Sequence, residues 1–130
     1  MSRVISHGVD LVEIARIARS HDEHGQRFIA RIYTPAEASY CQSARAPRDI
    51  ERFAARFAAK EAVFKALGTG WADGMAWTDV EVVLAPSGAP SVILAGKANE
   101  LAQNLGITEM LISLSHTSTH AMASVIAVGA

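Results

Sequence analysis

Two acidic residues stand where their neighbours do not favour them. Asp10 interrupts the apolar, β-branched run Val4 to Val12, and Glu61 falls within the stretch Phe53 to Leu67. At about 100° per residue, Phe53, Phe57, Phe64 and Leu67 share one helical face, and Glu61 lies only about 40° from Phe57. Burying a carboxylate at the edge of an apolar stripe is costly unless something compensates it. Lys65, one turn on, would do so as an i, i+4 pair. A cation shared with Asp10 would do so too. Aspartate is disfavoured inside strands, and two acids placed against local preference suit magnesium. That ion takes one or two carboxylates and completes its shell with water and phosphate oxygens. The chain has no Cys/His cluster spaced for zinc.

The same helical stretch carries Arg56, Lys60 and Lys65, and Gly68-Thr69-Gly70 follows it. Glycines let backbone approach a phosphate, although an ordinary helix stop explains Gly68 and Gly70 equally. A helix with one acid and several bases can hold a metal and a polyphosphate together, the layout that phosphoryl transfer requires. Residues 1–65 carry a balance of +3 and residues 66–130 a balance of −4. The bases therefore sit with the first helices, as a phosphate ligand or an acidic partner would need, or as solvated helix faces would give. The net charge of −1 exerts no global pull on nucleic acid or anionic membrane.

The elements that must position these residues are legible from pattern. Val4 to Val12 reads as a strand ending near Asp10, and Glu13 to Ser20 as a short helix. Thr34-Pro35-Ala36-Glu37 is a capping-box helix start, with the helix running to about Ser43. After a loop over Ala44 to Arg48, Asp49 is placed to cap a long helix reaching Leu67, closed by Gly68. Val80 to Leu84 and Ser91 to Leu94 form a hairpin around Pro86-Ser87-Gly88-Ala89-Pro90. Lys97 to Leu105 is a short helix, and Met110 to Ser115 and Ala121 to Val128 are the final strands. The expected class is α+β, an antiparallel sheet packed with helices around one long central helix, in a single domain over residues 1–130.

Composition sets further bounds. The chain contains 24 alanines while aromatics make up 6%, so its core is thin in large side chains. Burying a face against another copy would supplement it. Cys41 is the one cysteine, which removes an intrachain disulfide and favours a reducing compartment. The opening residues are too polar for a secretion signal, and no apolar run approaches the roughly 20 residues that span a bilayer. The expected location is the cytoplasm.

Three segments together resemble the holo-acyl-carrier-protein synthase family of phosphopantetheinyl transferases. They are Gly8-Val9-Asp10-Leu11-Val12-Glu13-Ile14 with Arg16-Ile17, Phe53 to Val63 with Lys65-Ala66-Leu67-Gly68-Thr69-Gly70, and Ile112-Ser113-Leu114-Ser115-His116-Thr117 with Ala121 and Ala123. The resemblance implies a 4′-phosphopantetheinyl transferase-like fold. It also implies magnesium-dependent transfer of 4′-phosphopantetheine from coenzyme A to a serine of an apo acyl carrier protein, releasing adenosine 3′,5′-bisphosphate, in fatty acid and lipid biosynthesis. It implies a homotrimer with sites between subunits. By the same resemblance, Asp10 and Glu61 are metal ligands, and Arg56 and Lys65 contact phosphates. His116 lies near the 3′-phosphate, and Lys60, Gly68 and Gly70 belong to the coenzyme A site. Glu61, Lys65 and Asp10 would carry the chemistry, with either Glu61 or a water held by Asp10 and the metal taking the serine proton. Acyl carrier proteins are acidic, and Arg16, which matches the family's docking helix, is the first expected docking position; Arg27, in an i, i+4 pair with Arg31, is the second. Two rival readings remain: a noncatalytic nucleotide- or carrier-binding module, and a magnesium-dependent phosphohydrolase. Two acids beside a phosphate site argue against the first, and a carrier-modification assay separates the second.

Overall fold

The computed structural model describes residues 2–69 and 74–130. Strand β1 (Arg3–Glu13) runs directly into helix α1 (Ile14–His24), followed by α2 (Gln26–Ile32), α3 (Pro35–Gln42) and α4 (Arg48–Ala66). After a short 3-10 turn (Trp77–Asp79) come β2 (Val80–Leu84), β3 (Pro90–Leu94), α5 (Gly96–Asn104), β4 (Ile107–His116) and β5 (His120–Gly129). The α+β class holds, but the strands divide into two sheets. One is antiparallel in the order β1-β5-β4, and the other is the β2-β3 hairpin.

Helix α4 is the axis of the molecule. The sequence suggested one apolar face; instead nearly every residue from Phe53 to Phe64 is buried. Its alanines explain how. Ala54, Ala58, Ala59 and Ala62 are wholly buried, and methyl-sized side chains let β1 and β5 press against the helix. The tightest point is Gly8, where a β-carbon would fall 2.8 Å from the Ala66 nitrogen and nearer still to the Ala62 carbonyl oxygen. Ser6 reinforces it by donating its hydroxyl to the Ala66 carbonyl at 2.5 Å. Phe53 and Phe64, buried in the same core, each contribute about 1.5–3 kcal/mol of transfer free energy.

Strand alternation gives the main sheet two apolar faces. Val12, Ala121, Ala123 and Val125 face α4 and are buried, whereas Leu11 (65%), Leu111 (49%) and Met122 (39%) point outward and are exposed.

Local chemistry explains most boundaries. Thr34 and Glu37 form the expected capping box of α3, and Gly68 closes α4 at φ 85°. Asp49 is not the cap of α4. The helix starts two residues earlier, after Pro47, and Asp49 sits in its first turn with Oδ1 accepting from the Ile50 N–H at 2.8 Å; there its charge still complements the helix N-terminus. Helix α2 was not anticipated, because seven residues between Gly25 and Tyr33 are too few for periodicity to stand out.

Candidate active site

Asp10 lies on the α4 side of β1, opposite Ala123 of β5, and Glu61 and Lys65 reach toward it from α4. Lys65 pairs with Asp10 rather than with Glu61: its Nζ donates to Asp10 Oδ1 at 3.1 Å and to the Val9 carbonyl at 3.0 Å. Glu61 is half-buried, and that burial raises its pKa; the Asp10 carboxylate raises it further, while Lys65 and Arg16 pull it down. The two carboxylates therefore repel one another, and a divalent cation would relieve that repulsion. Among the described residues no group of three or more His, Cys, Asp or Glu is placed to hold a metal. The oxygen-only pair fits magnesium with water and phosphate completing its shell, and does not fit a closed zinc site.

A second cluster lies elsewhere on α4. A cavity of about 390 Å³ is lined by Tyr40, Arg48, Glu51, Arg52, Arg56 and His116 over an apolar floor that includes Leu84, Pro90, Ile112 and Leu114. Two guanidinium groups approach the Tyr40 ring, Arg52 at 4.2 Å and Arg56 at 4.4 Å from its centroid. Arg56 is 4% exposed, and its buried Nε has no acceptor within the described chain. An orphaned buried donor on the wall of a cationic cavity suits an incoming phosphate oxygen. His116 stands at the rim with Nε2 4.0 Å from Glu51 Oε1.

The third feature is a groove of about 450 Å³, lined by Arg16, Arg27 and Arg31, with His24, over Phe28, Ile32, Phe57 and Trp77. The Arg16 guanidinium sits 5.5 Å from the Phe57 ring centroid, and Phe57 stacks on Trp77 at 5.2 Å. Arg16 is near enough to favour ionised Glu61, so this groove opens beside the acid pair. The junction of β1 and α1, tied by the Ile14 N–H to the Thr119 carbonyl at 2.9 Å, fixes Arg16 in that place.

Residues 6–123 match the 4′-phosphopantetheinyl transferase superfamily. The chain belongs to that superfamily. Among superfamily members it is similar to the holo-[acyl-carrier-protein] synthase of Koribacter versatilis, 51% identical with 95% of this chain and 97% of that protein covered. In structure it is similar to the Helicobacter pylori holo-[acyl-carrier-protein] synthase in complex with coenzyme A, with a TM-score of 0.81 and 29% identity, covering 93% of this chain and 98% of that one. The Bacillus anthracis enzyme in complex with CoA (3′,5′-ADP) gives a TM-score of 0.82 at 30% identity, with 98% of both chains covered.

Within this transferase fold the residues singled out from sequence divide three ways. Asp10, Glu61 and Lys65 come together; Arg56 and His116 come together around the cavity; Arg16 and Arg27 share the groove, with Arg31 beside them. Lys60 joins none of these. It is wholly buried, with Nζ 2.8 Å from Glu37 Oε1, and points into the interior instead of toward a phosphate. Burial lowers its pKa, and Glu37 opposes that shift. Gly68 sits in open space, but its N–H closes the helix onto the Lys65 carbonyl at 3.0 Å. Gly70 lies outside the described residues. Sequence reasoning missed Tyr40, Arg48 and Arg52. The spacing of Arg48, Arg52 and Arg56 at i, i+4 and i+8 was the available signal.

Proposed function

We propose that this chain transfers 4′-phosphopantetheine from coenzyme A to a serine hydroxyl of an acyl carrier protein, as its named relatives imply. The observation that carries the reading is the adjacency of the acid pair to the basic groove: the arginines receive an acidic partner, and the carboxylates stand where its hydroxyl would arrive. The serine oxygen bonds to the phosphorus bearing pantetheine, the bond from that phosphorus to the oxygen of the adenosine 5′-phosphate breaks, and adenosine 3′,5′-bisphosphate leaves. A magnesium ion held by Asp10 and Glu61 would supply positive charge to the diphosphate as it reacts. Lys65 adds a fixed cation at the same place. Glu61, or a water held by Asp10 and the ion, would take the serine proton.

Arg56 and Lys65, nine residues apart on α4, project about 180° apart by helical geometry, and the cavity lining contains none of Asp10, Glu61 and Lys65. In one protomer the adenosine-binding cavity and the acid pair are therefore separate half-sites. The exposed apolar face carrying Leu11, Leu111 and Met122 supports burial against further copies. We read the working unit as a homotrimer in which neighbouring copies of one 130-residue domain complete each site. No described helix is long and apolar enough to cross a membrane, and a cytoplasmic role in fatty acid biosynthesis agrees with the lone cysteine.

The test is incubation with coenzyme A, magnesium and apo carrier protein, read by mass spectrometry. A gain of one phosphopantetheine that disappears with a chelator supports the reading. Coenzyme A cleavage with an unmodified carrier would overturn it in favour of hydrolysis, and no reaction would leave only binding.

A further inference from the structure

We propose that Lys60 is a positioning residue for the carrier groove, acting through Trp77. The inference rests on reading the groove of Arg16, Arg27 and Arg31 as the carrier-docking surface. Both side chains of the Lys60–Glu37 pair are 0% exposed. The ammonium is satisfied on three sides, by Glu37 Oε1, by the Val80 carbonyl and by the Trp77 carbonyl at 3.2 Å. Glu37 is satisfied in turn: the Thr34 N–H donates to Oε1 at 2.9 Å and the Val82 N–H to Oε2 at 2.8 Å.

Stability alone is a weak reason for such a pair. Two buried charges repay their desolvation only with good geometry, and an apolar pair of similar volume is often as stable or more so. What the ammonium adds is direction: it fixes particular carbonyls at hydrogen-bond distance. Of its two backbone acceptors, Trp77 is the one whose ring walls the groove. That ring stacks on Phe57 and meets Phe64 edge-on at 5.5 Å, and Phe57 carries the Arg16 guanidinium. The chain of contacts runs from a buried lysine to a carbonyl, to the indole, to the phenyl ring, and to the arginine that faces the partner. A methionine at position 60 would fill the space and take this ammonium away from the Trp77 carbonyl.

The experiment compares parent, Lys60→Met/Glu37→Gln, Trp77→Ala and the triple combination for melting temperature and for KM toward carrier protein and coenzyme A. In the paired variant the amide oxygen introduced at position 37 can still accept from the Val82 N–H, the capping bond from the Thr34 N–H to the other oxygen is given up, and the melting temperature reads that cost. The expected result is a carrier KM raised at least about fivefold, with the coenzyme A KM within about twofold of parent. Adding the pair to Trp77→Ala should raise the carrier KM no further, because both changes act through one contact. A folded paired variant with an unchanged carrier KM, equal rises in both KM values, or additive effects with Trp77→Ala would overturn the proposal. Should the methionine variant fail to fold, Lys60→Gln/Glu37→Gln, whose shorter amide also falls short of the Trp77 carbonyl, is held to the same split. Arg16→Glu, run alongside, tests the groove itself. An unchanged carrier KM there removes the docking surface, and the proposal with it, whatever the Lys60 variants do.

Discussion

Glu61 is held between opposing influences, and their balance fixes how it should respond to pH. Half-burial and the Asp10 charge both raise its pKa, so the fold favours the protonated acid. Below the ordinary carboxylate range Glu61 is protonated folded and unfolded alike and costs nothing. As pH rises past that range the unfolded chain ionises first, and the folded state loses stability until Glu61 ionises too. Glu61→Gln should therefore melt higher than the parent at pH 7.5 without metal, and the gap should close near pH 4 in paired thermal scans. Asp10→Ala removes the facing charge and frees Lys65. It should lower manganese affinity at least about tenfold by titration and abolish most turnover, while far-UV circular dichroism stays unchanged. At this scale the sequence was informative wherever a side chain defied its local pattern, as Asp10 and Glu61 did. It misled at Lys60, whose partner Glu37 sits on another helix 23 residues earlier in the chain and is invisible to a helical wheel. Lys65 finding Asp10 instead of Glu61 is the same kind of long-range event.

Elements were legible in proportion to the local chemistry that ends them. The Thr34–Glu37 capping box marked α3 because both reciprocal bonds involve residues three apart. The start of α4 slipped by two residues because Pro47 and Asp49 both suit a helix N-terminus. What pattern could not give was the distance between β1 and α4. That distance depends on Gly8, which sits two residues from Asp10 and packs beside Ala62 and Ala66, the neighbours of Glu61 and Lys65. Gly8→Ala should cost about 1–3 kcal/mol by denaturant midpoint, because the added methyl meets helix backbone that cannot rotate away. It should also raise the magnesium concentration needed for half-maximal rate, since strand and helix would part at the acid pair.

At the scale of the whole molecule, alanine content pointed toward self-association, but composition could not say through which surface. The surface we propose for it is the outward face of the β1-β5-β4 sheet, where Leu11 and Leu111 stay exposed. Leu11→Glu should turn the proposed trimer into monomers in sedimentation experiments and reduce turnover at least about tenfold, because each half-site would lose its complement.

The placement of Arg56 and Glu61 on different flanks of α4 has a genetic consequence. Two inactive chains, one Arg56→Ala and one Glu61→Ala, should rescue each other when unfolded together and reassembled. At equal mixing, about a quarter of the junctions would unite a sound cavity with a sound acid pair by random assortment, and activity should recover to about that fraction. An allele of this kind would behave as defective alone and as a partial donor in company.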